Sequence, residues 1–306
     1  MKIIKHKKIW DKSPHSAFTD LCRYQGQFYC VFRSAIAHVS DTAELVILVS
    51  SDGNKWHKFA EVSEPECDLR DGKWLIFNNT LYLNAAAVDR RPQCDADKRL
   101  QSLSWTVTSQ GVSAPRVIVS DNYWLWKCAA NAAQNLIVGG AYRGGPEGDI
   151  RLYTSLDGDT FTCAMAPLNN QGYVNEAAPL FVEDDLYVLL RRDPAYDDRG
   201  SALLGCAPAP YLDWQWLELT CRVGGPTLFS WHDKLLAIVR LYNDNTRTSL
   251  IEIDKVTGQV TECLTMPSGG DTSYAGVVLE NDCLSLSYYS SHEGHSCIYF
   301  AKISLS

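Results

Sequence analysis

Six times along the chain, at intervals of roughly fifty residues, a short strand, a polar tip and a second apolar strand follow one another. The copies are Phe18–Arg33, Asp68–Leu83, Lys127–Arg143, Asn175–Arg192, Gly224–Arg240 and Asp271–Tyr289. Two weaker strands follow the hairpin, as at Glu44–Val49 and Lys55–Val62, or Asp149–Thr154 and Thr160–Ala166. Four strands per period make one blade of a radial array. The last copy is followed by only one further strand, Ser296–Ile303, and the stretch Ile3–Trp10 can supply the missing one. The expected fold is therefore all-β: a single domain over residues 1–306, a six-bladed β-propeller whose ring the N-terminal strand closes, hiding an edge. A two-sheet sandwich would give no reason for six similar hairpins.

Composition agrees and narrows the function. Fifteen Tyr, nine Trp and nine Phe suit pleated, half-buried surfaces. A formal charge of -8 argues against nucleic acid as partner, since phosphate binding needs a basic stripe. No apolar run reaches the roughly 18 residues of a membrane span, and the basic N-terminus lacks a signal peptide's apolar stretch, so a cytoplasmic protein is expected. The eleven cysteines are scattered with no CxxC pair, which reads as small core residues in a reducing compartment. No spacing calls for a metal or an organic cofactor.

In a propeller the first strand of each blade starts, and the second ends, at one face, around the mouth of the central channel. Strand starts bring Asp20, Asp68, Arg70, Lys127, Glu176, Asp271 and Tyr274 there. Strand ends bring Arg33, Arg143, Arg191, Arg192, Arg240, Tyr288 and Tyr289, with His292 and Glu293 just beyond. Arginine recurring at one position in four blades points to an anion held by planar forks. A carboxylate fits better than a phosphate, because no glycine-rich strand-to-helix loop is present. His38 and His292 are further acid, base or ligand candidates near the mouth.

Two turns, Ser50-Ser-Asp-Gly-Asn-Lys-Trp56 and Ser155-Leu-Asp-Gly-Asp-Thr-Phe161, resemble the Asp-box of sialidase-like propellers in shortened form. With Glu176 sixteen residues before Arg192, then Arg240 and Tyr274 in order, the chain resembles the sialidase (neuraminidase) superfamily over essentially its full length. The segments Ser268–Tyr274 and Ser287–Gly294 resemble a group of bacterial sialidase-like proteins. The resemblance implies a Tyr274 nucleophile made reactive by Glu176, attacking the anomeric carbon of a 2-keto acid sugar. It implies Arg33, Arg70, Arg192 and Arg240 as carboxylate ligands, with His38, Tyr289 and His292 also on the substrate. The family's first Arg-Ile-Pro motif is replaced by Phe18-Thr-Asp20-Leu, and its acid/base Asp by Arg33-Ser-Ala-Ile-Ala-His38. With these charges exchanged, the proton donor is one of Asp20, Asp68 and His38. The expected function is an exo-acting hydrolase of a terminal acidic sugar, a 2-ulosonic acid such as sialic acid or a uronate. A polysaccharide lyase acting on uronates and a non-catalytic glycan-binding propeller are the alternatives.

Overall fold

A computed structural model describes residues 1–95, 99–120, 122–194 and 200–306. Its strands form six antiparallel sheets. The N-terminal strand is β1 (Lys2–Trp10). Blade one holds β2 (His15–Tyr24), β3 (Gln27–Ala35), β4 (Glu44–Ser50) and β5 (His57–Val62). Blade two holds β6 (Cys67–Phe77), β7 (Thr80–Asp89), β8 (Leu100–Thr108) and β10 (Arg116–Val119), with the short β9 (Gly111–Val112) beside β8. Blade three runs through β11 (Trp124–Asn131), β12 (Leu136–Tyr142), β13 (Ile150–Ser155) and β14 (Thr162–Asn169). Blade four is β15 (Tyr173–Val182), β16 (Asp185–Asp193), β17 (Leu203–Pro208) and β18 (Gln215–Glu218). Blade five is β19 (Val223–Trp231), β20 (Lys234–Leu241), β21 (Arg247–Ile253) and β22 (Val260–Thr265). Blade six is β23 (Thr272–Glu280), β24 (Cys283–Ser290) and β25 (Cys297–Ser304), completed by β1. The fold is the expected six-bladed β-propeller. It divides into two compact units: residues 1–122 with 267–306, carrying blades one, two and six, and residues 123–266, carrying blades three to five.

As the incomplete sixth repeat required, β1 pairs antiparallel with β25, Ile3 opposite Ile303 and Trp10 opposite Ile298. His6 anchors it. Its ring stacks on Tyr299 at 5.3 Å, and its Nε2 lies 2.6 Å from the Tyr288 hydroxyl. That hydroxyl spends its own proton on the Pro267 carbonyl, 2.7 Å away, so His6 is the donor.

The inner strands carry a feature that the repeat did not reveal. Each has a β-bulge near its start, where register is lost between Ala17 and Asp20, Arg70 and Lys73, Leu125 and Lys127, Val174 and Ala177, Gly224 and Thr227, and Ser273 and Gly276. A bulge breaks the strict alternation of a strand and re-aims side chains. Four bulge residues, Phe18, Asp71, Gly225 and Tyr274, have φ between 50° and 57°. Glycine takes that conformation freely; for the two aromatics it is costly and persists only where surroundings impose it.

Those surroundings are the packing of β2 against β23. A Cβ on Gly276 would lie 1.8 Å from the Leu21 nitrogen, so only glycine lets the two backbones approach. The Thr19 hydroxyl donates to the Tyr274 carbonyl at 2.9 Å, and the Ser287 hydroxyl lies 2.8 Å from Thr19 Oγ1.

The two Ser-x-Asp-Gly turns connect the third and fourth strands of blades one and three, with matching bonds. Ser50 Oγ accepts the Gly53 amide and Ser155 Oγ the Gly158 amide, both at 2.9 Å. Asp52 Oδ1 accepts the amides of Asn54 and Lys55, and Asp157 Oδ1 those of Asp159 and Thr160. Trp56 closes the first turn against Phe300, ring centres 5.3 Å apart. Gly53 has φ 71°, and a Cβ there would sit 2.6 Å from the Phe300 ring. Gly53→Ala is accordingly expected to lower unfolding free energy by about 1–3 kcal/mol, read as a shifted urea midpoint at constant slope.

Burial and the nearby His292 hold the His6 imidazole below its ordinary pKa of 6.5, against the opposing pull of Glu293. The unfolded chain therefore takes up this proton at higher pH than the folded one. The His6 contribution is fully present above 6.5 and is lost as pH falls through the lower folded value. Urea midpoints measured between pH 7.5 and 5.5 should fall with acid, and the slope should be shallower in H6Q.

Candidate functional site

The first unit gathers an unusual density of charge around the bulges of blades one, two and six. At its base, the Asp68 carboxylate is fully buried. Its Oδ1 accepts from Arg33 Nε at 2.9 Å and faces Arg33 Nη2 at 2.8 Å. Its Oδ2 takes Arg90 Nη2 at 3.0 Å and the Ser40 amide at 3.3 Å, with Arg70 Nη1 at 3.5 Å. One carboxylate thus gathers three guanidiniums. Arg33 has no exposed surface and spends a further donor on the Ala37 carbonyl, 3.0 Å away. Burial pulls the Arg33 guanidinium below its ordinary pKa, and Asp68 opposes that pull. Arg70 and Arg90 reach the surface, their side chains 13% and 29% exposed. Each keeps a buried Nε–H with no hydrogen-bond acceptor among the described residues, so Asp68 does not exhaust them.

Above this base lies an aromatic and imidazole layer. Arg70 covers the Phe18 ring at 5.1 Å. Phe18 meets Tyr274 at 5.0 Å, Tyr289 at 5.5 Å and His38 at 5.5 Å, ring centre to ring centre. The Tyr289 hydroxyl donates to Asp271 Oδ1 at 2.6 Å. His15 Nε2 lies 3.3 Å and His38 Nδ1 3.5 Å from Asp271 Oδ2.

Of the residues expected from sequence, the structure brings Arg33, Asp68, Arg70, His38, Tyr274 and Tyr289 into this one cluster. It gives several of them other tasks. Asp68, expected to be catalytic, is sealed beneath three arginines and cannot hand a proton to a ligand. Arg33 is likewise buried and serves as the counter-ion of Asp68 rather than a substrate ligand. Asp20, expected as proton donor, follows the first bulge and turns into the protein: its side chain is buried and accepts the Trp74 amide at 2.8 Å. His292 lies against Tyr299, ring centres 5.2 Å apart, with Nδ1 2.9 Å from Ser290 Oγ.

In the second unit, Glu176 sits in the bulge of β15 and Arg240 stands opposite Gly224, where the bulge of β19 begins. Glu176 Oε1 accepts from Arg191 Nη1 and its Oε2 from the Gly225 amide, both at 2.8 Å. The sequence spacing pairs Glu176 with Arg192, and the structure corrects this. The bulge sets Asn175 and Glu176 opposite Arg191, while Arg192 pairs with Val174 and donates from Nε to the Ser201 carbonyl at 2.6 Å. Its Nη2 meets Glu218 at 3.0 Å.

Sequence reasoning missed His15, Phe18 and Arg90, and it left Asp271 without a role. His15 precedes the first recognised repeat, and Arg90 lies just past β7.

His15, His38 and Asp271 also place three ligand-type atoms within 4.8 Å of one another, a grouping the sequence did not foresee. The remaining ring nitrogens face arginines: His15 Nδ1 lies 3.3 Å from Arg33 Nη1, and His38 Nε2 3.3 Å from Arg70 Nη2. Metal-bound imidazoles donate their second N–H to an acceptor, and an arginine offers none. The residues present do not suit a cation.

No protein-family model matches the sequence. No curated protein matches it either. Among solved structures, a mutant of Trypanosoma rangeli sialidase displaying trans-sialidase activity superposes with TM-score 0.74 at 13% identity, over 97% of this chain and 58% of that one. The chain thus spans little more than half of that sialidase. The phage phi92 endosialidase gives 0.71 at 12% identity, over 99% of this chain and 69% of that one. A Penicillium chrysogenum α-L-arabinanase complexed with arabinobiose gives 0.74 at 9% identity, covering 100% of this chain and 99% of that one. At such identities the likeness is one of fold. The fold that sequence and structure agree on is the sialidase-like six-bladed β-propeller.

Proposed function

We propose that the chain is an exo-acting glycoside hydrolase that binds a terminal acidic sugar, a 2-ulosonic acid or a uronate, at the cluster of the first unit. One observation carries this reading: Arg70 and Arg90 are held by the buried Asp68 with their side chains partly exposed, and Arg70 covers the Phe18 ring that meets the bulged Tyr274. Preset forks of this kind recognise a carboxylate with little loss of side-chain freedom on binding. The similar structures, among them a Trypanosoma rangeli sialidase in complex with sialic acid, agree with a sugar ligand. Tyr274 is the nucleophile in this reading. A neutral attacker suits a substrate whose own carboxylate would repel an anionic one. The sialidase resemblance also gives Glu176 a part in the chemistry, and E176Q tests that assignment by itself through a fall in kcat.

A lyase reading draws on the contact of His38 with Arg70, which sets a potential base beside a charge-neutralising guanidinium. It predicts an unsaturated product absorbing in the ultraviolet, where the hydrolase yields a reducing sugar and no new absorbance.

A panel of fluorogenic ulosonides and uronides tests the hydrolase. R70A should raise KM strongly with a smaller effect on kcat, because the carboxylate contact exists in ground and transition states alike. Y274F should lower kcat by a hundredfold or more, on the order seen when a nucleophile or its proton transfer is removed, and leave binding of the free sugar intact. D68N should act on the fold instead. Breaking a buried ion pair from one side costs about 3–5 kcal/mol, and urea denaturation should record that loss.

A further inference from the structure

Beside the arginines gathered on Asp68, the first unit holds a second titratable set in His15, His38 and Asp271. Its hydrogens can be placed by elimination. A guanidinium only donates, so His38 Nε2, 3.3 Å from Arg70 Nη2, and His15 Nδ1, 3.3 Å from Arg33 Nη1, are the bare nitrogens. The hydrogens then lie on His38 Nδ1 and His15 Nε2, both facing Asp271 Oδ2. Asp271 is fixed from the other side by the Tyr289 hydroxyl. His15 is largely enclosed, its side chain 13% exposed, whereas that of His38 is 56% exposed and reaches solvent.

We propose that His38, held by Asp271 as its positioning residue, is the proton donor to the leaving group, and that Arg70 keeps its Nε2 bare until an acidic sugar takes over the Nη2 donor. The inference rests on the glycosidase reading above. A carboxylate is a stronger acceptor for Arg70 than a ring nitrogen is, so an arriving acidic sugar competes for that contact. Freed at Nε2, the exposed imidazole has room there for the proton that the leaving group needs. The Asp271 and sugar carboxylates, the retained Arg70 guanidinium and His15, itself tied to Arg33, are the polar groups around it. The Phe18 ring against His38 excludes water on one side.

The step balances. The bond from the anomeric carbon to the leaving oxygen breaks, and its electron pair stays on that oxygen. The Nε2 proton completes the departing alcohol, and the Tyr274 oxygen takes its place on carbon, its proton passing to a carboxylate base. Water then displaces the tyrosine and gives a proton to His38, while the tyrosine recovers its own. The sum is glycoside plus water giving sugar plus alcohol.

The test compares wild type, H38Q and D271N on 4-methylumbelliferyl and methyl glycosides of N-acetylneuraminic acid and glucuronic acid, beside ¹⁵N-histidine NMR. H38Q should lower kcat on the methyl glycoside by roughly a hundredfold to ten-thousandfold, the usual worth of a general acid. On the aryl glycoside, whose leaving group needs no proton, the loss should stay under about tenfold. D271N should show a weaker version of the same split, because the imidazole loses the carboxylate that orients it. NMR should find His38 protonated at Nδ1 in the free protein and at both nitrogens with the acidic sugar bound. Equal losses on the two leaving groups, or a hydrogen on Nε2 in the free protein, would overturn the assignment and leave the hydrolase standing. A wild type inert on both glycosides defeats the hydrolase itself and the proton donor with it.

Discussion

The bulge near the start of every inner strand is the constraint on which the site depends. In an unbroken strand, alternate side chains go to opposite faces, and in a propeller both faces are packed against neighbouring blades. An extra residue breaks that parity once per blade and frees a side chain for other use. Phe18, Asp71, Glu176 and Tyr274 all occupy such positions. The cost is a left-handed backbone at two aromatics. It is met by packing around Gly276, where the backbones of β2 and β23 come too close for any other residue.

Charge organises what the bulges expose. A buried carboxylate without partners would be expelled or neutralised, and Asp68 avoids this by gathering three guanidiniums. The arrangement is asymmetric in a useful way. Arg33 is sealed with Asp68 and supplies rigidity, while Arg70 and Arg90 share the same anchor and keep a face toward solvent. A guanidinium positioned by a buried counter-ion needs little reordering to meet a ligand, so its contact energy is retained in binding. The imidazoles join the same logic, since each faces an arginine with one nitrogen and Asp271 with the other.

The architecture was legible in the sequence because a propeller repeats its instructions. Six hairpins named six blades, and the unfilled place in the last one led to β1 beside β25, within a residue or two of the expected pairing. The site was legible only in part. Arg33, Asp68, Arg70, His38, Tyr274 and Tyr289 were identified by counting to strand ends, and counting is safe as long as strands are regular. The bulges defeated it: Asp20 turned inward to hold the Trp74 amide, Arg191 took the place assigned to Arg192 beside Glu176, and Phe18 was given no role at the site; His15 went unnoticed because the strand begins earlier than its apolar run. A bulge has no strong sequence signature when the extra residue is Phe or Tyr rather than glycine. Burial was equally invisible. Nothing in the string Cys67-Asp-Leu-Arg70 tells that one charge is sealed and the other reaches the surface.

Calorimetric titration of the wild type and R70A with glucuronic acid, N-acetylneuraminic acid and their methyl esters tests the central claim most directly. If the arginines gathered on Asp68 form a site for an acidic sugar, the wild type binds at least one of the free acids, its methyl ester binds far more weakly, and R70A loses the difference. Equal binding of acid and ester, or an acid preference unchanged in R70A, would contradict the account.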